Sequence, residues 1–253
     1  MSDWKVTIHR KGKARKAVLV EGMPGIGNVG KITADLLVEQ LKAVKAASFH
    51  SHCLPNSVFV KEDNTVEMPK IEMHYAKKNG QEFYFLVGDV QPMKEEDSHR
   101  FAEAVLGTAK KLGCTEVIAL GGIGLSEMPE DSKVYCTGND KAQIMSFVKL
   151  GANNKLYGVV GPIMGITGLT LGLGKDYGLK CIALLAETYA APMHVGLREA
   201  KGIIRIIGKK YKLGINLGDV EKDIKKFENE LKTVSKQQEL QVSEHPQDTS
   251  YIG

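Results

Sequence analysis

The sequence lacks two short motifs that would indicate a hydrolase or a phosphate-transfer enzyme. Its 253 residues contain no G-x-S-x-G elbow, which would present a serine nucleophile, and no complete G-x-x-x-x-G-K-[ST] loop, which would hold nucleotide phosphates. Cysteine is also scarce, and the four cysteines have no paired close spacing. This distribution predicts free, buried thiols in a reducing cytoplasm.

A strong net charge is missing as well, and we expect neither a signal peptide nor a membrane-spanning helix. Lys and Arg number 34 against 30 Asp and Glu, and the resulting net charge of +4 does not indicate nucleic-acid binding. Residues 1–16 contain no apolar segment of the kind that signal peptides need. Residues 156–174 are uncharged, but six glycines and one proline interrupt them, which argues against a transmembrane helix. We therefore expect a cytoplasmic protein without nucleic-acid or membrane partners.

What the sequence does contain is a glycine-rich turn between a strand and a helix. Residues 17–21 (AVLVE) are apolar and predict a buried strand, and residues 31–41 carry apolar side chains at helical spacing. Between them, Gly25, Gly27 and Gly30 match the G-x-G-x-x-G turn of dinucleotide-binding folds. In those folds the glycines let the backbone turn tightly and approach a pyrophosphate.

The turn lacks the acidic partner that a dinucleotide site needs. Such a site places Asp or Glu at the end of the second strand, about twenty residues after the motif, where it holds a ribose hydroxyl. The predicted second strand, residues 43–50, and the residues up to Cys53 contain no acid. We therefore interpret the turn as a close-packed elbow and expect no cofactor. An enzyme or sensor that binds a nucleotide or nucleoside phosphate at this turn remains the alternative.

Glu187 is the strongest candidate for a catalytic side chain. It ends an apolar strand, residues 179–187, where open α/β sheets place their functional groups. In the nucleotide-binding alternative, Glu187 joins the Gly25–Gly30 turn and binds a sugar hydroxyl. General acid–base catalysis usually needs a partner group, which is missing, so we predict no catalytic residue. The only metal-like cluster, residues 50–53, can turn at most two ligands to one side of a strand, and we predict no metal.

The glycine-rich opening, GMPGIGNVG followed by KITADLLVEQL, resembles the archaeal proteasome assembly chaperone family. The likeness returns in GGIG (121–124), GPIMGITGLTLGLG (161–174) and LLAETYAAP (184–192), and it covers roughly residues 15–235. The resemblance implies a homo-oligomeric α/β protein without enzymatic activity. Its implied partners are other copies of itself and the α-subunits of the proteasome core particle.

The resemblance also points to the C-terminal residues as a docking element. Several proteasome-binding chaperones and activators end in a hydrophobic residue, a tyrosine and any residue, and this tail inserts between neighbouring α-subunits. Here the chain ends in Ser250, Tyr251, Ile252 and Gly253. The tyrosine ring is therefore displaced by one residue from the carboxylate, about 3.3–3.6 Å along an extended chain. We take Tyr251, Ile252 and Gly253 as partner-binding residues in an altered register, and a tail without function is the alternative.

Alternating strands and helices predict an α/β three-layer sandwich with a mixed β-sheet flanked by helices. The family resemblance adds a likeness to nucleoside phosphorylases, by analogy only. Asn79-Gly80 predicts one hairpin, and residues 4–9 with residues 17–21 predict another. Residues 156–160 predict a buried strand.

The end of the chain differs in composition from the rest. Residues 219–236 carry an apolar stripe at helical spacing with charged residues on the other face, which predicts a charged C-terminal helix. Residues 237–253 are polar and predict a flexible tail. The predicted organisation is a single α/β domain over residues 1–236, followed by the tail.

Overall fold

The computed structural model describes residues 4–61, 63–191, 194–216, 218 and 220–222. The chain divides into two units, Met1–Ile215 and Asn216–Gly253. The first unit contains every strand and helix given below. The predicted C-terminal helix and tail lie outside the described residues, except at positions 220–222, which are helical. The predicted domain limits therefore stay a prediction.

The described residues of the first unit form ten strands and five α-helices. The strands are β1 (Lys5–Ile8), β2 (Ala17–Gly22), β3 (Val44–His50), β4 (Phe59–Val60), β5 (Val66–Glu67), β6 (Ile71–Lys78), β7 (Gln81–Gly88), β8 (Cys114–Leu125), β9 (Val134–Gly138) and β10 (Lys180–Tyr189). The helices are α1 (Val29–Gln40), α2 (Glu95–Leu112), α3 (Lys141–Val148), α4 (Gly165–Leu173) and α5 (Leu197–Tyr211).

Eight of the strands form one mixed sheet in the order β1-β3-β6-β7-β2-β8-β10-β9, and β4 pairs with β5 in a separate small ribbon. The four central strands β7, β2, β8 and β10 run parallel. The pairs toward both edges are antiparallel. The predicted mixed sheet is confirmed.

Helices cover both faces of this sheet, which confirms the three-layer sandwich. Helices α1 and α5 contact each other over one face, and α2 and α4 contact each other over the opposite face. Side-chain alternation along β2 supports both contacts, because Val18 and Val20 face one layer while Leu19 and Glu21 face the other. Leu19 packs in the same buried cluster as Phe101 of α2 and Ile166 of α4.

The predicted hairpin at Asn79-Gly80 is confirmed, and the N-terminal hairpin is wrong. β6 and β7 pair up to Lys78 and Gln81, and both turn residues have positive φ, 50° and 81°. β1 instead pairs with β3 at the sheet edge, whereas β2 lies between β7 and β8. The physical reason is burial: all six residues of β2 are buried, which suits a central parallel strand, while β1 is largely exposed.

The strand predicted over residues 156–160 is also wrong. Tyr157 and Val160 form an isolated bridge that closes a tight turn, in which Gly158 has φ 80°. The side chains of Tyr157 and Val159 are exposed. The apolar run that suggested a buried strand is therefore an apolar surface loop, and apolar character alone does not separate the two.

Two features of the topology create a crevice at the carboxyl ends of the central strands. β2 continues into α1 on one face, whereas β7 continues into α2 on the opposite face, and open α/β sheets bind ligands at such a switch point. In addition, β8 outruns β2. Their last pair is Glu21 with Ala119, while β8 continues beside β10 to Leu125.

Candidate functional site: a glycine-lined cleft

The predicted elbow between β2 and α1 is closely packed. A β-carbon on Gly30 would lie 2.5 Å from the carbonyl oxygen of Leu120 in β8, and one on Gly22 would collide with the Gly30 carbonyl. The backbones of β2, α1 and β8 therefore approach each other at a distance that excludes any side chain. This geometry supports the interpretation of the turn as a packing device.

Gly27 and Gly25 differ in what they require. Gly27 has φ 59°, and its β-carbon would lie 2.7 Å from the hydroxyl oxygen of Thr188 in β10. Its carbonyl accepts a hydrogen bond of 2.7 Å from the Gly196 amide. Gly25 has extended backbone at φ −168°, and a β-carbon there would meet no atom within 4 Å. Packing thus explains Gly27 and Gly30, whereas Gly25 borders open space.

That open space is a cleft of about 500 Å³ at the carboxyl ends of β2 and β8. Its walls come from three glycine-rich segments, residues 23–26, 120–124 and 159–165, with Gly30, Gln91, Thr167 and Leu185 between them. We call this space the glycine-lined cleft. None of the described residues that line it is Asp, Glu, Lys, Arg or His. The three segments come together because of their places in the chain. Residues 23–26 follow β2, residues 120–124 lie at the end of β8, and residues 159–165 lead into α4.

The structure places only some of the predicted ligand-binding residues in this cleft. Gly25 and Gly30 line it, whereas Gly27 and Glu187 do not. The carboxylate of Glu187 accepts hydrogen bonds from the Tyr135 hydroxyl and the Lys133 amide, both at 3.1 Å. Glu187 therefore ties β10 to β9 and the loop before it.

A buried acid that the sequence reasoning missed lies at the edge of the cleft. Glu21, at the end of β2, is fully buried. Its Oε1 accepts a hydrogen bond from the Met23 amide at 3.1 Å, and its Oε2 lies 3.2 Å from the hydroxyl of Thr167, which lines the cleft. Burial raises the pKa of Glu21 to about 8, although these two hydrogen bonds lower it. The available signal was an acid inside an otherwise apolar strand.

Gln91 holds the walls of the cleft together. Its side-chain amide donates to the carbonyl of Pro24, and its Oε1 accepts from the amide of Ile166 at 3.3 Å. One side chain thus joins the loop after β7 to the glycine turn and to the first turn of α4. This residue type carries no sequence pattern that would have revealed the role.

The cation that follows the turn is already neutralised. Lys31 comes directly after Gly30, where a lysine of a phosphate loop would lie. Its Nζ lies 3.0 Å from a carboxylate oxygen of Asp35 and 3.9 Å from one of Asp89. Two acids therefore lie beside this cation, so its charge is already paired.

A second buried polar cluster, formed by Glu199, Thr188 and His194, lies beside the glycine turn. Glu199, near the start of α5, is buried and accepts hydrogen bonds at Oε1 from the Thr188 hydroxyl at 3.1 Å and from His194 Nε2 at 3.0 Å. Since Thr188 also touches Gly27, this cluster fixes the end of β10 against α5 and the glycine turn. The sequence LLAETYAAP contains Thr188 but gives no sign of its partner Glu199.

Three of the four thiols are buried inside the sheet. Burial raises the pKa of Cys114 and Cys181 to about 12 and that of Cys136 to about 11. All four cysteines are free, and Cys53 is half-buried. Within the described ranges, no group of three His, Cys, Asp or Glu side chains is arranged to hold a metal ion. In the same part of the chain, every helix is too short or too polar to cross a bilayer.

The predicted docking residues Tyr251, Ile252 and Gly253 lie outside the described residues. Their role therefore stays a prediction.

Comparison with known proteins gives one family. The sequence profile of the PAC2 family matches residues 19–235. An uncharacterized protein of Methanocaldococcus jannaschii is 29% identical over 225 residues, which covers 88% of this chain and 84% of that protein.

Two solved structures from Pyrococcus furiosus are similar over nearly the whole chain. The archaeal proteasome activator PbaB is 26% identical, with a TM-score of 0.81, and the match covers 93% of this chain and 100% of PbaB. PbaA, described as an archaeal homolog of a proteasome-assembly chaperone, is 23% identical with a TM-score of 0.73 and covers 98% of this chain and 99% of PbaA. At that identity the PbaA match shows the fold.

Proposed function

The chain belongs to the PAC2 family, and we propose that it is a proteasome-binding protein that assists assembly of the core particle by acting on its α-subunits. The family resemblance seen in the glycine motifs is thereby confirmed at the level of the family. The observation that carries the proposal is the match to PbaB over 93% of this chain and all of that activator. The fold shared with PbaA, an assembly chaperone homolog, agrees with it.

We propose further that the protein has no catalytic activity. The support is the state of the reactive groups among the described residues. Glu187 is held by Tyr135 and the Lys133 amide, and Lys31 is paired with two acids. The raised pKa of the buried thiols keeps them protonated and poorly nucleophilic at neutral pH. The proposed location is the cytoplasm.

The proposed homo-oligomer is supported by an exposed apolar surface. The β4–β5 ribbon and the residues that flank it expose five large apolar side chains. We propose that a second copy of this chain contacts them. These side chains are Val58, Phe59, Val60, Val66 and Met68. Contiguous exposed apolar surface of this kind marks protein contacts. Light scattering after size exclusion should give a mass that is a multiple of 27.6 kDa, and a monomer at all concentrations would contradict this part of the proposal.

Docking by the C-terminal residues is a separate proposal. A synthetic peptide of residues 243–253 should bind assembled α-subunits, and Tyr251→Ala should weaken binding at least about tenfold, or about 1.4 kcal/mol, because the ring is the anchoring group. A peptide with Ile252 and Gly253 exchanged for a single residue restores the usual register and serves as the reference. Equal binding of the unchanged peptide and the Tyr251→Ala peptide would show that the tail does not dock.

The activity itself is tested by an assembly time course. Separate α- and β-subunits of the source organism are mixed with and without this protein, and formation of the core particle is followed by native gel and by peptidase activity. The proposal predicts faster formation or a higher yield. Unchanged assembly, together with stimulation of the finished particle, would indicate an activator like PbaB instead.

A further inference from the structure

We propose that the glycine-lined cleft binds an uncharged small molecule, of nucleoside size or smaller, through the backbone edge of β8 and the side chains of Thr167 and Gln91. This inference does not rest on the proposed function, since the cleft lies in the folded unit and needs no proteasome subunit. It differs from the nucleotide-binding alternative in the charge of the ligand and in the residues that hold it.

The size and position of the cleft suit a small ligand. Its volume of about 500 Å³ lies within the range of small-molecule pockets, about 300–1,000 Å³. It opens at the carboxyl ends of β2 and β8, beside the switch point between β2 and β7, which is where open α/β sheets bind ligands. The walls are mainly apolar, with half or more of the Ile26, Val159 and Met164 side chains exposed. An apolar ligand surface would therefore be covered on entry.

The described side chains that line the cleft offer no charge to bind an anion. None of the described residues in its wall is charged, so a phosphate or carboxylate would lose water without gaining an ion pair. Lys31 lies next to the wall residue Gly30, but Asp35 and Asp89 already neutralise it. The first turn of α4 also faces the cleft, and its Ile166 amide is taken by Gln91.

The polar groups that remain suit neutral donors and acceptors. Beyond Ala119, the edge of β8 has no paired strand on its β2 side within the described part of the chain, so the backbone of residues 121–124 offers hydrogen bonds. Gly121, Gly122 and Gly124 carry no side chain, and Ile26 of the glycine turn lies over the last two, where an added β-carbon would be 2.5 and 3.3 Å from Ile26 atoms. A ligand with an amide-like edge can replace the missing strand pairing.

When it is protonated, the buried carboxyl group of Glu21 leaves the base of the cleft uncharged. The Thr167 hydroxyl has one hydrogen but two acceptors nearby, Oε2 of Glu21 at 3.2 Å and the carbonyl of Leu120 at 3.4 Å. When Glu21 carries a proton, it donates to Thr167, and the Thr167 proton is free for Leu120 or for a ligand. All three groups are then satisfied without any charge beneath the cleft.

The test uses paired probes in which only one member carries an anionic group. Adenosine, uridine and nicotinamide are compared with AMP, UMP and nicotinate, each at millimolar concentration, by protein-observed NMR. The uncharged member of at least one pair should shift resonances of residues 120–124 and Thr167, and its anionic counterpart should bind at least about tenfold more weakly, or about 1.4 kcal/mol. A flat response to all three uncharged probes, or tighter binding of the anions, would overturn the proposal.

Two variants locate the binding. Gly25→Leu and Gly161→Leu add a side chain at two positions of the cleft wall where a β-carbon meets no atom within 4 Å, and they should weaken probe binding about tenfold. Gly172→Ala also meets no atom within 4 Å but lies outside the cleft wall, and it serves as the control. Probe binding that both leucine variants retain would show that the ligand binds elsewhere. Binding to α-subunits, measured on the same variants, reports on the proposed function separately.

Discussion

Gly30 packs so closely against Leu120 that a β-carbon on the glycine would lie 2.5 Å from the leucine carbonyl oxygen. Real β-carbons do not approach a backbone atom to this distance, so α1 and β8 can meet only if position 30 is glycine. The third glycine of the motif thus has a packing role that needs no pyrophosphate. Its neighbour Gly25 has no such contact and borders the cleft.

The contrast between these two glycines gives a first prediction. Gly30→Ala should lower the free energy of unfolding by about 1–3 kcal/mol, because the added methyl group meets rigid backbone. Gly25→Ala should change it by less than about 0.5 kcal/mol, since its backbone is extended and the space is open. Urea denaturation of both variants measures the difference. Equal stabilities would contradict the packing role of Gly30.

Sequence patterns predict much of the fold because the period of apolar residues reflects which face of each element is buried. The strand of residues 17–21, the helix that follows it and the Asn79-Gly80 hairpin all follow from periodicity or turn chemistry. The partner of β1 does not follow from such patterns, because a short exposed strand can pair with any free edge. The sequence predicts a buried strand at residues 156–160, where the structure has a surface loop, because an exposed apolar loop has the same composition as a buried strand.

The site was predictable only in part, for a related reason. Gly25 and Gly30 were found through their motif, which is contiguous in the sequence. Glu21, Gln91 and Thr167 are far apart in the chain, and their contacts depend on how β2, the loop after β7 and α4 meet. Side chains that act through tertiary contacts leave no spacing pattern.

A second prediction concerns pH and Glu21. The pKa of this group is raised from 4.5 to about 8 in the folded state. Between these values the folded protein holds a proton that the unfolded chain has released. The contribution of Glu21 to the free energy of unfolding is therefore largest below about pH 4.5 and falls by about 1.4 kcal/mol per pH unit as pH rises toward 8. Glu21→Gln keeps both hydrogen bonds without a titrating group, and it should be more stable than the wild type at pH 7 by about 3 kcal/mol.

The measurement is the difference in unfolding free energy between the Glu21→Gln variant and the wild type from pH 5 to pH 9. Other titrating groups are common to both proteins and cancel in the difference. The difference should grow in favour of the variant up to about pH 8 and then level off. A difference that does not change with pH would mean that Glu21 is ionised in the folded state.

A third prediction tests the cluster around Glu199. Thr188→Val removes the hydroxyl that donates to Glu199 but keeps the shape of the side chain against Gly27. The loss of a buried hydrogen bond to a carboxylate should lower stability by about 1.5–3 kcal/mol. Thr115→Val, on an exposed position of β8, makes the same chemical change and should alter stability by less than about 0.5 kcal/mol. Thermal unfolding of the two variants compares them, and a Thr188 effect as small as the Thr115 effect would exclude a supporting role for the cluster.

A fourth prediction follows from the buried thiols. Cys114, Cys136 and Cys181 are buried and have raised pKa values, whereas Cys53 is half-buried. A thiol reagent at pH 8 should therefore label Cys53 in the folded protein and the other three only after unfolding. Mass spectrometry of the labelled protein counts the sites, and Cys53→Ser should abolish native labelling. Rapid labelling of a second cysteine would contradict the burial described.

The proposed function requires this protein to bind the α-subunits of the proteasome core particle. Native mass spectrometry of the purified protein mixed with recombinant α-subunits of the source organism measures this binding directly, with the intact chain and with a chain that ends after Val242. We predict a discrete complex with the intact chain and its loss on truncation, whereas a complex that survives truncation would place the contact in the folded domain. No complex with either form would contradict the proposed function.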